Sequence, residues 1–429
     1  MTRAQRRLGG LCVLSLFVFL SVFAFVAGVA PTDPELIGFL SMALIVPAAP
    51  AASRLWGRKR EPMKTFVPAP AASTVSISKI PRYPRTILGF MLQRGGTTFG
   101  NVDLARVELF LAEKSIWGPV SGVQLAAINR YIHGDLNADS FFTTIDFTNP
   151  NVKEIGGEQI GGLDLTTLPD GELRLEVELA STASAPTLIG QTIWSAPQGG
   201  GALGGLMLKL IRRIYPQAAA GDFFPDVVVR GAIMCRQFLR YTVAPTGVTT
   251  AAGISEGANT GNGTFGTINA AADTPCGRYR LKMLAATTFI LYAPLQMGGR
   301  VISIGTTGVA FNAGGISFTL TAGGTAFVIG DGFYIDILNN NADGNLNLLE
   351  IKKNEDIWYS RTDRAGRFEQ QRYGRMPVTQ MYVADFLLDN HADSVIDTAN
   401  ALTLDYKLNF TSADTLTVIH QVLAKPLLF

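Results

Sequence analysis

The chain is 429 residues long, room for two or three domains, and its formal net charge of +2 provides no strong field for nucleic acid. Only 16% of residues are charged, 45 are Gly and 21 are Pro, and short Thr, Val, Ile and Phe runs sit between Gly, Pro, Asn and Asp clusters. That pattern excludes a mainly helical protein and points to many short strands joined by turns.

Residues 1–62 stand apart. Residues 8–30 carry no charge, are long enough to cross a bilayer, and follow Arg3, Arg6 and Arg7. A second apolar stretch, 36–52, contains Pro47 and Pro50 and is followed by Arg54, Arg58, Lys59 and Arg60. Asp33 and Glu35 lie between the two, so the positive-inside rule favours a helical hairpin with the body in the cytoplasm. A single span and a signal peptide are the alternatives, although Gly28-Val29-Ala30 before Pro31 makes a poor cleavage site. Met63 would also open a soluble protein, leaving 1–62 as a fused membrane protein or as sequence upstream of the true start. Residues 63–74, with Pro68 and Pro70, read as a linker.

A first all-β domain is expected over 75–205. Its strands include 141–147, 171–179 and 187–194, and residues 124–131 form a short amphipathic helix. The 171–179 segment alternates Leu173, Leu175, Val177 and Leu179 with Arg174, Glu176 and Glu178, one buried and one wet face. Residues 206–216 read as a helix linking to a second domain, 217–247 plus 339–429. That domain opens with a strand in 227–239 and closes with 402–423, which turns at Ser412-Ala413-Asp414. Residues 248–338 differ in texture, dense in Gly, Ala and Thr. Strands at 278–284, 288–292, 315–320 and 332–337 make them an inserted small β domain with its ends close together.

The motifs that suggest chemistry are weak. Gly199, Gly201 and Gly204 fit a dinucleotide fingerprint, and Asp222 lies downstream, but Asp222 precedes the next strand and no βαβ alternation follows. Gly261, Gly263 and Gly266 repeat the spacing with no helix behind it. His133, His391 and His420 are far apart and lack ligand neighbours. Cys12, Cys235 and Cys276 make neither a disulfide framework nor a zinc site and read as buried thiols. Asn339, Asn341, Asp343, Gly344 and Glu350 approach a calcium loop, yet a strand precedes them and only two carboxylates are present, so an Asn-Gly turn is the expectation. Arg361, Arg364, Arg367, Arg372 and Arg375, near Phe368 and Tyr373, are expected on a solvated helix or a subunit-contact face. No catalytic, cofactor or metal residue is assigned, and no enzyme is expected.

The body resembles the major capsid proteins of corticovirus-like, membrane-containing phages. The resemblance is carried by Gly89-Phe90-Met91-Leu92-Gln93-Arg94-Gly95-Gly96, Gly122-Val123-Gln124-Leu125, Ile155-Gly156-Gly157-Glu158 and Leu168-Pro169-Asp170-Gly171. Beyond the insertion it resumes with Leu349-Glu350-Ile351-Lys352, Gln371-Arg372-Tyr373-Gly374-Arg375, Tyr382-Val383-Ala384-Asp385-Phe386 and Thr411-Ser412-Ala413-Asp414. The insertion is similar to a phage decoration-type β domain, through Gly261-Asn262-Gly263-Thr264 and Gly330-Asp331-Gly332-Phe333. The resemblance implies two tandem jelly-roll β-sandwiches, a homotrimer forming a pseudo-hexagonal capsomer, and a turret made by the insertion. It also implies neighbouring capsomers, a vertex (penton) protein and an internal viral membrane as partners, with no specific nucleic-acid contact. The competing reading is a membrane-anchored β-rich adhesion protein of a bacterial envelope.

Overall fold

The computed structural model describes residues 58–429, apart from 135–140, 149–158, 199–204, 218, 227–228, 244–249, 272–273, 296–297, 339–344, 389–394, 400, 402 and 428–429. The two apolar N-terminal stretches lie outside the described residues, as do Cys12 and His391. Among the described residues, no helix is long and apolar enough to cross a membrane.

The first sandwich takes β1 Lys59–Pro62, β2 Val75–Ile80, β3 Thr86–Gly95, β4 Leu104–Leu111, β5 Lys114–Val120, helix α1 Gly122–His133, β6 Phe142–Asp146, β7 Leu163–Asp164, β8 Leu173–Leu179 and β9 Thr187–Ser195. One sheet runs β1-β9-β3-β6 with β7 also on β3, and the other runs β2-β8-β4-β5. Both are antiparallel, and the chain crosses between them in the jelly-roll order. The expected alternation in β8 is present: Leu173, Leu175, Val177 and Leu179 are buried. They meet Phe90 and Leu92 of β3 and Leu109 of β4 in one core.

The N-terminal boundary needs correcting. Lys59–Pro62 was expected in the membrane segment, but it pairs in full with residues 191–194 of β9 and completes the sheet. The stretch after it is no free linker either. Met63 donates its N–H to Gly190 O, Val67 pairs with Ile77, and Phe66 is buried in the core. The prolines at 68 and 70 suggested an unpaired tether, but the pairing uses the N–H groups of Met63 and Val67 instead.

The segment expected as a linking helix is β10, Met207–Gln217, paired residue for residue with 414–424. Its Leu, Ile and Arg spacing suits a helix, but eleven cross-strand rungs outweigh that local preference. Next come β11 Gly221–Phe223 and β12 Ile233–Arg240.

The chain then enters β13 Thr250–Ser255, β14 Thr264–Phe265, β15 Asn269–Ala270, β16 Gly277–Met283, β17 Thr288–Tyr292, β18 Val301–Thr306, β19 Ala310–Ala313, β20 Ile316–Thr321 and β21 Gly332–Leu338. These strands pair only among themselves, in a sheet β13-β21-β16-β17-β18 and a second around β20. Between them lies a separate core in which Phe289, Phe311 and Phe318 pack ring on ring. Thr250 opposes Leu338, so the first and last strands are neighbours.

The second sandwich resumes with β22 Leu346–Lys353, β23 Asp356–Thr362, helix α2 Asp363–Arg372, β24 Met381–Asp385, β25 Ile396–Asp397, β26 Leu404–Phe410 and β27 Asp414–Ala424. Its sheets, β10-β27-β12-β24 and β11-β26-β22-β23, repeat the strand order of the first sandwich, with the insertion between its third and fourth strands. Asp414 holds that insertion point together. Its carboxylate accepts from Thr242 N at 3.0 Å, Val243 N at 3.1 Å and Asn345 Nδ2 at 3.1 Å. Hydrogen bonds from both sides of the insertion hold its carboxyl below the usual range, against the upward push of burial.

Candidate functional site

The candidate site is the junction between the two sandwiches. Much of the outer face of β10-β27-β12-β24 is covered: Phe238, Met381, Val383 and Ile419 join the core of the first sandwich, while Ile214 at the β10 end stays exposed. Helix α1 supplies part of the cover. Ser121 Oγ accepts from Gln124 N, and Gln124 Oε1 accepts from Ser121 N, a capping box that fixes where the helix starts. The 3.6-residue period then turns Leu125, Ile128 and Tyr131 inward.

Tyr131 reaches across. Its ring meets Phe238 edge-on at 6.0 Å, and its hydroxyl donates to Asp385 Oδ2 at 3.1 Å. Asp385 ends β24 with its carboxylate fully buried. Arg236 Nε lies 2.9 Å from Oδ1, and Arg375 Nε lies 3.6 Å from Oδ2. Arg236 also donates to Gln421 Oε1 at 2.8 Å, and Arg375 to the carbonyl of Ile132 at 3.2 Å. Burial first, and then Asp385, holds the Tyr131 hydroxyl well above its ordinary pKa, so it stays a donor. One carboxylate, two guanidiniums and a phenol thus lock two sandwiches together; each is spent on a neighbour, and the arrangement suits fixing geometry rather than turnover.

The arginine cluster, expected on a solvated helix or a subunit-contact face, is divided. Asp363 and Arg367 sit one turn apart on the inner side of α2. Arg367 Nε lies 2.9 Å from Asp363 Oδ1, and Nη2 donates to Tyr241 Oη at 2.8 Å and Met381 O at 3.1 Å. Arg375 belongs to the junction. Arg361 pairs with Glu369 at 3.2 Å, and only Arg364 and Arg372 of the remainder face out with Phe368 and Tyr373. The signal that separates them is Asp363, four residues before Arg367.

The other singled-out residues do not converge. Gly199, Gly201 and Gly204 lie outside the described residues, and Asp222 on β11 pairs with Lys407 at 3.0 Å. Gly261 and Gly263 make room for a ring: a Cβ there would stand 2.4 and 2.2 Å from Phe327. Asn339, Asn341, Asp343 and Gly344 also lie outside the described residues, while Glu350 sits within β22 beside Lys352. His133 pairs with Asp146 at 3.2 Å. Cys235 is buried, which pushes its thiol up to about 11, and Cys276 is half-buried.

His420 lies inside the second sandwich. Gln237 Nε2 donates to its Nδ1 at 3.1 Å, and its Nε2 has no hydrogen-bond partner among the described residues. Burial, with Arg213 adding to it, pushes its pKa down to about 3. The unfolded chain titrates near 6.5, so in that window the unfolded state binds the extra proton. Stability is therefore expected to fall by about 1.4 kcal/mol per pH unit as pH drops below 6.5. Thermal melts at stepped pH check this, and His420→Asn should flatten the slope; an equal slope in both proteins would refute it.

The chain matches two family models: the viral coat protein P2 N-terminal domain over residues 60–194, and the viral coat protein P2 C-terminal domain over 309–426. The second match begins within the insertion, just ahead of β19. The crystal structure of the major capsid protein P2 from bacteriophage PM2 superposes with a TM-score of 0.54 at 11% identity, covering 86% of this chain and 97% of that one. The STIV MCP gives 0.49 at 12% identity, covering 86% and 97%. At these identities the likeness to the PM2 protein concerns the fold. Among curated proteins, none matches the chain.

Proposed function

The chain belongs to the viral coat protein P2 family, whose two models together match more than half of it, and from that membership we propose that it builds its shell as a homotrimer standing over a membrane. Its role is that of a structural major capsid protein, located in the virion. The observation that carries the trimer is the repeated strand order of the two sandwiches. Three copies offer six similar bodies, and a head-to-tail contact between them closes into a ring that tiles a shell. Five-fold positions do not accept six bodies, so a separate vertex protein is a partner alongside neighbouring capsomers. The inserted domain, held at one point of the second sandwich, serves as a turret.

The membrane reading rests on the sequence ahead of β1. Two apolar stretches, with Arg54 after them and ahead of β1, suit a tether into a membrane. One fractionation experiment tests both parts. The full chain is expected to float with liposomes and to show three times the chain mass by light scattering in mild detergent. The chain starting at residue 58 is expected to remain trimeric off the lipid. A monomeric mass would refute the trimer, and a full chain that fails to float would refute the tether.

A further inference from the structure

The two sandwiches repeat a pattern at the ends of their helices. In the first, Tyr131 and His133 close α1, and His133 Nε2 lies 3.2 Å from Asp146, the last residue of β6. In the second, Tyr373 and Arg375 follow α2, and Arg375 Nε lies 3.6 Å from Asp385, the last residue of β24. Each half of the chain therefore presents a tyrosine, a base two residues on, and an aspartate that the base holds at the end of the next strand.

The two tyrosines differ in one respect. Tyr131 is 1% exposed because it crosses to the other sandwich and reaches Asp385. Tyr373 is 49% exposed, and among the described residues its hydroxyl has no hydrogen-bond partner. The aspartates differ in the matching way. The Asp385 side chain is fully buried under Tyr131, whereas that of Asp146 is 22% exposed. Asp146 lines a hollow of about 430 Å³ with Arg58, Arg60, Leu88, Thr148 and Ile193. Further along β6 and β9, Phe142 and Ile189 are exposed, and Phe368 is exposed on α2 ahead of Tyr373. Tyr131 of the first sandwich and Asp385 of the second make this contact within the chain, whereas the corresponding Tyr373 of the second and Asp146 of the first remain at least partly exposed.

We propose that Tyr373 of one copy docks on the first sandwich of a second copy and donates to Asp146 there, as Tyr131 does to Asp385 within the chain. The contact rests on the trimer reading and gives it an address. Tyr373 and Asp146 belong to different sandwiches, so the contact is head-to-tail, and with the junction inside each chain it makes every seam of a six-body ring alike.

The test uses the full chain in mild detergent with cysteines placed at both components. Tyr373→Cys/Asp146→Cys, treated with a short bis-maleimide, is expected to give covalent dimers and trimers. Mixed Tyr373→Cys and Asp146→Cys proteins should stop at the dimer, and either single variant alone should add nothing above the native cysteines. Tyr373→Asp, which sets a carboxylate against Asp146, should weaken each contact by about 10-fold or more, read as a shift from trimer to monomer on dilution. A protein that is trimeric by light scattering yet gains no cross-link in the double variant or the mixture overturns this contact and leaves the trimer standing. A monomeric unmodified protein overturns both.

Discussion

Asp385→Ala is expected to cost about 3–5 kcal/mol of stability, because it removes the one carboxylate that compensates two guanidiniums in the junction. Arg236 is buried and Arg375 nearly so, and each has Asp385 as its ionic partner. Arg236 would retain Gln421, and Arg375 would retain the Ile132 carbonyl, but both acceptors are neutral. The penalty is mostly that of leaving charge in an apolar setting, so it exceeds what the lost bonds alone are worth. Tyr131→Phe, by contrast, deletes a single hydroxyl and is expected to cost about 1.5–3 kcal/mol, the value of one hydrogen bond to a charged group. Urea unfolding of the two variants side by side gives the comparison. If Asp385→Ala shifted the midpoint no more than Tyr131→Phe, the guanidiniums would have found water, and Asp385 would not be what holds the junction.

A chain that starts at Met63 is expected to lose its first sandwich, whereas one that starts at residue 58 keeps it. The shorter chain lacks β1, so β9 loses four residues of partner strand. It also lacks Glu61, whose carboxylate lies 2.5 Å from Nη1 of Arg85. Arg85 is among the largest fully buried side chains, and without Glu61 it keeps the neutral carbonyl of Pro81 as an acceptor. An unpaired buried guanidinium alone is worth about 3–5 kcal/mol, a large share of what a domain of this size has in reserve. Soluble yield and melting temperature of the two truncations check this. Equal melting of both would show β1 to be dispensable and would restore Met63 as a workable start.

Sequence legibility followed the range of the deciding contacts. Strand β17 was placed to the residue, and β8, β9, β20 and β21 to within two residues at each end, because alternation and glycine turns are local. Helix α1 was legible for the same reason: its buried stripe repeats every three or four residues. β10 was not, since Lys209-Leu210-Ile211-Arg212-Arg213-Ile214 carries no alternation and its partner lies some two hundred residues on. β1 was hidden by composition, because four residues with three charges resemble a membrane flank more than a strand. The junction was not legible: Asp385 lies within a run of apolar residues, but that its partners are Tyr131, Arg236 and Arg375 is a property of the folded chain.

Asp414 has an evolutionary consequence. Because a single carboxylate grips the chain on both sides of the inserted domain, the shell-forming body does not depend on what lies between Val243 and Asn345 to bring those ends together. The entropic cost of closing a longer or shorter excursion grows only slowly with its length. Natural selection can therefore exchange or rewrite that module, as an accessory under pressure from outside, while the lattice chemistry beneath it is inherited unchanged.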